Sequence, residues 1–276
     1  MTTRLHTPPV LMLAAAVALV LTGCGADSDA AGTSGAAGAD DSLAAVQEAG
    51  TIVVGTEGTY RPFSFHEDGS GDLTGYDVEV ITAVAKELGV TATFEETQWD
   101  AIFAGLTSGR FDVIANQVTT TPERTAAYTF SAPYTFSRGV VVVPADDTTI
   151  TSFDSLAGMT TAQSLTSNWY TLAQDAGATV QGVEGWAQAV ALVEQGRVDA
   201  TINDELTFLD YAQNNDAAGL KVAATTDDES ESAFAFAQGS SALATAVDEA
   251  LATLAADGTL AEISDTYFGA DVSVSR

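Results

Sequence analysis

The sequence has few of the residues on which several large classes of protein depend. Of its 276 residues, one is cysteine, two are histidine and nine are lysine or arginine, against 38 acidic residues. A single cysteine excludes an internal disulfide. A formal net charge of −29 without a basic cluster argues against nucleic acid and anionic lipid surfaces as partners. We assign the acidity to solubility and give it no binding role.

Histidine and cysteine are too scarce for most nucleophilic catalysis. If the first 23 residues are removed, His66 is the one histidine that remains, and it lies in a polar loop. A serine or cysteine triad is therefore disfavoured, whereas carboxylate-based chemistry stays open. The acidic run at 227–231 lacks the alternating spacing of a calcium loop. The sequence predicts no metal site and no cofactor.

Long apolar runs are also rare, since the longest covers only residues 9–21. That is shorter than the roughly 18 residues that a spanning helix needs, so residues 1–23 are predicted to be a signal peptide. The run ends in LTGC, which resembles the lipobox of bacterial lipoproteins and implies that Cys24 is lipidated. Two acyl chains, such as palmitate, would anchor the chain to the bilayer. Residues 24–41, rich in Ala, Gly, Ser and Asp, are predicted to be a flexible tether.

The first part of the body alternates between strand and helix patterns. Strands are predicted at 51–56, 90–94 and 111–115, and helices at 77–88 and 99–107. Asp77 is the expected cap of the first of these helices, which stops at Gly89. This βαβαβ order predicts a parallel sheet with helices on its faces.

A second unit repeats the alternation. Its strands are predicted at 159–162, 178–183, 198–202 and 220–224, and its helices at 154–156, 168–175, 186–195 and 205–213. A further strand-like segment is predicted at 233–237. Extended segments at 140–143 and 234–237 are expected to carry the two crossovers, and helices at 242–256 and 260–267 to return to the first unit. The predicted fold is α/β with two lobes, each a mainly parallel sheet flanked by helices. Lobe I is 42–141 with 238–276, and lobe II is 142–237.

A polar run after the third strand contains the most conspicuous cation. Asn116, Gln117, Thr119 and Thr120 precede Pro122, which suits the first turn of a helix, and Arg124 follows. Ligands of open α/β sheets bind beyond the carboxyl ends of strands, and between two lobes a cleft forms there. Arg124 could hold a ligand carboxylate in that cleft, or it could be a solvated arginine at a helix start.

Acidic residues lie at comparable strand ends. Glu57 follows the first strand and could pair with an ammonium group or be a solvated loop acid. Asp204 follows the strand at 198–202 and could hold an ammonium group or cap the next helix. With Arg124 these acids suggest a site shaped for a zwitterion.

Polar and aromatic residues beside these charges have two interpretations each. Ser167 and Asn168 lie where a strand meets a helix, so they could receive a carboxylate or cap the helix. Tyr60 and Trp99 could wall a pocket or pack the core.

The series of motifs from VVGTEGTYRPFSF through LTGYDVEV, SGRFDVIANQVTTTPER and YTFSAPY to DGTLAEISDTYFG resembles the polar amino-acid-binding members of bacterial extracellular solute-binding family 3. The resemblance implies a periplasmic-binding-protein-like clamp with two crossover strands. It implies a monomer that carries an amino acid to an ABC permease and its ATPase, which are separate chains. Residue by residue, it implies a carboxylate site of Arg124, Thr119, backbone near Gln117 and Ser167, an ammonium site of Asp204 and Glu57, and a side-chain pocket of Tyr60 and Trp99.

Three further details bear on what the resemblance implies. GTEGTYRPF with ANQVTTTPER looks most like the cystine-binding branch. Relatives usually have a glycine-rich turn where this chain has Thr161 to Thr166 followed by Trp169, which puts the second-lobe carboxylate contact in question. Some relatives are dehydratases that act on cyclic amino acids, so an enzyme on the same fold is the alternative function.

Overall fold

The structure is a computed structural model that describes residues 40–215 and 219–275. The predicted signal peptide, Cys24 and most of the predicted tether lie outside these residues. The helices are α1 (Ser42–Ala49), α2 (Tyr76–Glu87), α3 (Trp99–Thr107), α4 (Pro122–Ala127), α5 (Asn168–Asp175), α6 (Trp186–Glu194), α7 (Glu205–Asn214), α8 (Ser241–Ala256) and α9 (Thr259–Phe268). Within the described ranges, none of the helices is long and apolar enough to cross a membrane.

The strands fall into five groups of paired segments. They are β1 (Thr51–Thr56), β2 (Thr59–Tyr60), β3 (Ser64–His66), β4 (Leu73–Thr74), β5 (Thr91–Glu96), β6 (Val113–Ile114), β7 (Thr129–Phe130), β8 (Thr135–Ser137), β9 (Gly139–Pro144), β10 (Thr160–Gln163), β11 (Thr179–Gly182), β12 (Thr201–Asp204), β13 (Leu220–Thr225), β14 (Ser230–Ser232) and β15 (Ala235–Phe236).

The first large sheet has the strand order β5-β1-β6-β15-β7. β1 runs parallel to β5 and β6, as predicted, while β15 pairs antiparallel with β6 and β7. Successive residues of a strand face opposite sides of a sheet, so Val113 packs in one core with α2, α8 and α9, and Ile114 packs in another with α3. The sheet is thus covered by helices on both faces.

The second group is built around β9, which lies between β12 and β13. Its valines alternate between two cores: Val140 and Val142 enter one, and Val141 and Val143 enter the other. β10 and β11 are parallel, and Thr161 bridges to Ala200 in the same sense. β9 and β13 instead run antiparallel to their neighbours. The chain enters this group of strands through β9 and leaves it through β13. Neither strand is reached from its sheet neighbour through a helical crossover, which is the connection that makes neighbouring strands parallel.

The two groups are connected by an antiparallel ribbon of β8 and β14. The apolar segments expected from the sequence to carry the crossovers, 140–143 and 234–237, contribute strands to the two sheets instead. The reason is physical: an apolar run marks a strand buried on both faces, whereas the ribbon is short and rich in serine and threonine. Two crossover strands are therefore present, but they lie outside the most apolar segments.

Two local features differ from the sequence predictions. α1 was not predicted because its composition matches the tether, yet its Val46 is buried and the Asp40 carboxylate before it accepts a hydrogen bond from the Ala242 N–H at 2.5 Å. The prediction that Asp77 caps α2 is wrong. α2 begins one residue earlier, directly after Gly75. Only glycine fits at position 75, because its φ is 127° and an added Cβ would overlap the Phe63 carbonyl. Asp77 is left inside the first turn and is fully buried.

Candidate functional site

A cavity of about 280 Å³ lies between the first sheet and the second group of strands. On the first-sheet side it is lined by residues that follow β1 and β6 or begin α3, among them Glu57, Trp99 and Gln117. On the other side it is lined by residues that end β10 or begin α5 and α6, among them Gln163 and Ser167. The cavity thus lies beyond strand carboxyl ends and at helix N-termini, where polar groups converge.

Glu57 lies on the cavity wall in a reciprocal pair of hydrogen bonds. The Asn116 Nδ2 donates to Glu57 Oε2 at 2.7 Å, and the Glu57 backbone N–H donates to Asn116 Oδ1 at 2.8 Å. No lysine, arginine or histidine nitrogen in the described chain lies within 4.0 Å of this carboxyl group. Burial raises the pKa of Glu57 to about 7, and the bond from Asn116 opposes that rise. A ligand ammonium group would supply the missing counter-charge.

Arg124 lies in the first turn of α4, which begins with Pro122 and is capped by Thr121. Its Nη1 donates to the Thr119 carbonyl at 3.0 Å, and its Nη2 donates to the Thr166 carbonyl at 3.4 Å. The guanidinium lies 5.3 Å from the Trp99 ring centre and 5.4 Å from that of Phe103.

The charge of Arg124 has no direct counter-ion. Among the residues that the structure describes, no carboxylate oxygen lies within 4.0 Å of its nitrogens. Burial lowers the pKa of the guanidinium to about 10, with nearby Glu123 opposing the change. A guanidinium fork is suited to bidentate binding of a carboxylate, so Arg124 is a cation that lacks such a partner.

Tyr60 and Trp99 both line the cavity and both take part in packing. The Tyr60 hydroxyl donates to Asn203 Oδ1 at 3.0 Å and lies 3.1 Å from the Thr207 Oγ1, so it joins the two sides of the cavity. Trp99 packs edge-on against Phe103, with ring centres 5.5 Å apart. Its buried Nε1 has no hydrogen-bond partner within residues 40–215 and 219–275. Tyr60 and Trp99 therefore both line the cavity and pack against neighbouring residues, which were the two alternatives that the sequence left open.

The segment before α5 forms part of the second wall. Ser167 and Asn168 line the cavity, and the Ser167 Oγ also caps α5 by accepting from the Tyr170 N–H at 3.1 Å. Thr166 Oγ1 donates to Asp100 Oδ1 at 2.6 Å, across the mouth of the cavity. Trp169 fills space beside Gly139, where an added Cβ would lie 2.5 Å from the indole ring. The departures from the family pattern thus lie directly at the site.

Asp204 is close to the site but is not on the cavity wall. It caps α7, and its Oδ1 accepts from the Ser137 Oγ at 2.7 Å and from the Leu206 N–H at 2.9 Å. Burial raises its pKa to about 6. The three residues before it in β12, Thr201 to Asn203, do line the cavity. Thr119 and Arg124 likewise border the site without lining the cavity itself.

Sequence reasoning singled out Asn116 but missed several other wall residues, among them Gln163 and Asn203. Gln163 is 3% exposed, and both polar atoms of its side-chain amide lack partners in the part of the chain that is described. Such atoms cost free energy unless a ligand or water binds them. Gln163 and Asn203 lie at the carboxyl ends of β10 and β12, so applying the strand-end criterion to the amides of the second lobe would have found them.

Comparison with known proteins identifies the family and the fold. Residues 52–270 match the model of the bacterial extracellular solute-binding proteins, family 3. The chain belongs to this family. A probable amino-acid ABC transporter-binding protein of Haemophilus influenzae is 51% identical over 228 residues, which are 83% of this chain and 88% of that protein. The L-cystine-binding protein TcyA of Bacillus subtilis is 48% identical over 253 residues, 92% and 94% of the two chains.

A solved structure gives the same result. The L-cystine solute receptor of Neisseria gonorrhoeae, in its unliganded open conformation, is 46% identical and covers 84% of this chain and 99% of its own, with a TM-score of 0.58. The predicted family and the predicted two-lobed α/β fold are thereby confirmed, and so is the substrate-binding role. This solute-binding protein has its cavity between the two groups of strands, which are the two lobes.

Proposed function

We propose that this solute-binding protein captures a polar amino acid, L-cystine or a close analogue, and delivers it to an ABC permease and its ATPase on separate chains. One observation carries the proposal. Among the residues that the structure describes, Arg124 is a half-buried guanidinium without a carboxylate partner, and it borders a cavity whose wall contains the half-buried carboxyl group of Glu57, which has no cation beside it. A zwitterion supplies both missing charges at once.

The charge balance explains why a zwitterion is favoured over other small molecules. Burying an ion without a partner costs several kcal/mol, so each of these two groups gains when a ligand brings the opposite charge. An acid would satisfy only Arg124, and an amine only Glu57. The names of the related proteins, which include cystine-binding proteins, support an amino acid with a second polar end.

The roles of the individual residues form part of this proposal. Arg124, with the Thr119 backbone beside it, receives the α-carboxylate, and Ser167 and Asn168 approach from the other lobe. Asp204 and Glu57 serve the ammonium groups, and Tyr60 and Trp99 cover the apolar part of the ligand. Gln117 shapes the wall between them. For Arg124, Trp99 and Glu57 the assignment accords with the geometry, because the guanidinium lies over the Trp99 ring and Glu57 lines the same cavity.

Closure of the lobes is the proposed mechanism of capture. Several hydrogen bonds join the lobes in this structure, including Tyr60 to Asn203 and Thr166 to Asp100. The related gonococcal receptor was solved open and without ligand. We place the hinge at the β8–β14 ribbon, close to the lobe boundaries at 141/142 and 237/238 that the sequence suggested. A ligand favours the closed form only as far as it binds that form better.

The cellular location is proposed on separate grounds. The match to an extracellular solute-binding family indicates a place outside the cytoplasm. We propose that Cys24, after removal of the signal peptide, carries the acyl chains that hold the monomer at the membrane. Mass spectrometry of the N-terminal peptide tests this: a diacylglyceryl-modified Cys24 is expected, and an unmodified cysteine contradicts the anchor.

A thermal-shift panel of the amino acids, with L-cystine among them, tests the proposed ligand. A ligand at 100 times its Kd stabilises the folded state by about 2.7 kcal/mol, which raises the Tm by roughly 5 to 10 °C for a chain of this size. L-cystine is expected to give the largest shift. If no amino acid raises the Tm, the proposal fails. Turnover of prephenate or arogenate by the purified protein would favour the alternative of a dehydratase on the same fold.

A further inference from the structure

Gln117 lines the cavity and has an unfavourable backbone conformation. Its φ is 49°, in the left-handed region, where most side chains are disfavoured. It immediately follows Asn116, so its conformation sets the direction in which the chain leaves the strand end and passes along the cavity. Something outside the local sequence must hold it there.

Asp77 supplies that restraint by binding one residue at two points. The Gln117 backbone N–H donates to Asp77 Oδ2 at 2.7 Å, and the Gln117 Nε2 donates to Asp77 Oδ1 at 2.6 Å. Both residues belong to the first lobe, and Asp77 is completely buried. A carboxylate is the side chain of this size that can accept at both of its terminal atoms, whereas an asparagine would offer one acceptor and one donor.

The same amide extends the network to the hinge. The Gln117 Nε2 also lies 3.1 Å from the Thr135 Oγ1, and Thr135 begins the crossover strand β8. The Asp204 carboxyl contacts Ser137 at the other end of that strand. The cavity wall and the crossover strand are therefore connected through a single side chain.

We propose that Asp77 is a positioning residue for ligand binding, which holds Gln117 in its left-handed conformation and ties the first-lobe wall to crossover strand β8. A shape-filling role alone does not explain a carboxyl group here, because burial of an acid is unfavourable and raises the pKa of Asp77 to about 7. The cost is offset by the two bonds to Gln117. The identity of the ligand in the test rests on the proposed function.

The first experiment measures the Kd of L-cystine by calorimetry in Asp77→Asn. We expect the Kd to rise about 10-fold, because one of the two donors of Gln117 then faces the amide NH2. The matched control is Glu87→Gln, which removes an exposed acid from the same helix and is expected to leave the Kd unchanged. An unchanged Kd in folded Asp77→Asn overturns the proposal.

A double-mutant cycle separates positioning from a general structural effect. Glycine accepts a positive φ, so in Gln117→Gly there is no unfavourable conformation left for Asp77 to hold. We expect Asp77→Asn to raise the Kd less than about 3-fold in that background. An equal rise in both backgrounds means that Asp77 acts independently of Gln117, and the proposal is then wrong.

Two further measurements remain decisive if Asp77→Asn does not fold or if L-cystine is not the ligand. Gln117→Ala and Gln117→Gly both remove the amide and differ only in backbone tolerance, so Gln117→Ala is expected to bind several-fold more weakly. Equal affinities contradict the proposal. In the ligand-free wild-type protein, hydrogen exchange of the backbone amide at position 117 is expected to be slower than in Asp77→Asn. If Asp77→Asn does not fold, the comparison is made with Gln117→Ala. If the wild-type backbone amide of Gln117 exchanges as fast as that of an exposed residue such as Glu123, Asp77 does not hold it, whatever the ligand is.

Discussion

The two walls of the cavity are built differently. On the first lobe, Glu57 and Asn116 satisfy each other through reciprocal hydrogen bonds, and Asp77 holds Gln117 at two points. On the second lobe, Gln163 has an amide without partners among the described residues, and Thr166 is exposed. The carboxyl and amide groups of the first wall are thus held largely within their own lobe, although Trp99 Nε1 and Gln117 Oε1 also lack partners among the described residues. The amide of the second wall lacks a partner at both of its polar atoms and depends on what a ligand brings to it.

This difference suggests a division of labour in binding. A preorganised wall loses little conformational entropy when a ligand arrives, so it can determine the orientation of the ligand. A wall with unsatisfied polar groups gains most when the lobes close, so it determines how strongly closure is favoured. Substitutions in the first wall are therefore expected to have large effects on affinity, and those in the second wall smaller ones.

The largest effect is expected for Arg124→Ala. Removing the guanidinium leaves the ligand carboxylate buried without a partner, at a cost of about 3 kcal/mol or more, which is roughly a 150-fold rise in Kd. Calorimetry with the amino acid that gives the largest thermal shift measures it. Arg110→Ala is the control, because Arg110 is half exposed and pairs with Glu95 away from the cavity. A Kd within about 2-fold of wild type would remove Arg124 from the site.

Glu57→Gln is expected to separate affinity from stability. The variant loses the negative charge but keeps an acceptor for Asn116, so the Kd should rise about 10-fold, or about 1.4 kcal/mol. Because it also removes a buried charge, its Tm near pH 8 should equal or exceed that of the wild type. Glu87→Gln again serves as the control. A Glu57→Gln variant that binds normally, or that unfolds at a much lower Tm, would show that Glu57 has a structural role only.

The pH dependence of stability tests whether the first wall carries buried acids. Burial raises the pKa of Glu57 and of Asp77 to about 7 and that of Asp204 to about 6, against ordinary carboxyl values near 4. Between about pH 4 and pH 7 the folded state thus holds more protons than the unfolded state, so stability falls as the pH rises.

The ligand-free protein should therefore melt at least about 3 °C higher near pH 5.5 than near pH 8. The raised pKa of His66, which faces Glu96 and the Gly71 carbonyl, acts in the same direction. Glu57→Gln and Asp77→Asn should each reduce the difference, whereas His66→Gln should reduce it much less. A Tm that rises with pH over this interval would contradict the assignment of three buried, protonatable acids.

The parts of the site that were predictable from the sequence are those marked by unusual residues in local patterns. Arg124 stood out as one of few cations, and it followed a strand by only a short polar run. The strand and helix periods also identified the cores of both lobes, because apolar spacing directly reflects burial.

The remaining parts depend on pairings that no local pattern contains. Asp77 looked like a helix cap because nothing near it indicates a bond to Gln117, forty residues further on. The crossover strands were placed in apolar segments because hydrophobicity marks burial and not connectivity. Gln163 and Asn203 were missed because an uncharged amide at a strand end looks like any loop residue until the opposite lobe is present.

The smallest effect is expected at the second wall, in Thr166→Val. Thr166 Oγ1 donates to Asp100 Oδ1 across the mouth of the cavity, and both residues are exposed. A solvent-exposed hydrogen bond to a charged group contributes roughly 0.5 to 1 kcal/mol, so the Kd should rise about 3-fold. Because the bond joins the two lobes, we expect the change to lie in the dissociation rate, measured by stopped-flow fluorescence.

Matched variants test whether the bond between Thr166 and Asp100 stabilises the closed form. Thr166→Ser keeps the hydroxyl and should bind like the wild type, while the Thr166 backbone carbonyl continues to accept from Arg124 in every variant. The double variant Asp100→Asn with Thr166→Val should bind the ligand no more weakly than the weaker-binding single variant, because both substitutions affect the same hydrogen bond. Additive losses would mean that Thr166 and Asp100 act independently, so that their bond is not what stabilises the closed form. A change confined to the association rate would mean that Thr166 acts before closure. The second wall would then share in the initial recognition that we assign to the first.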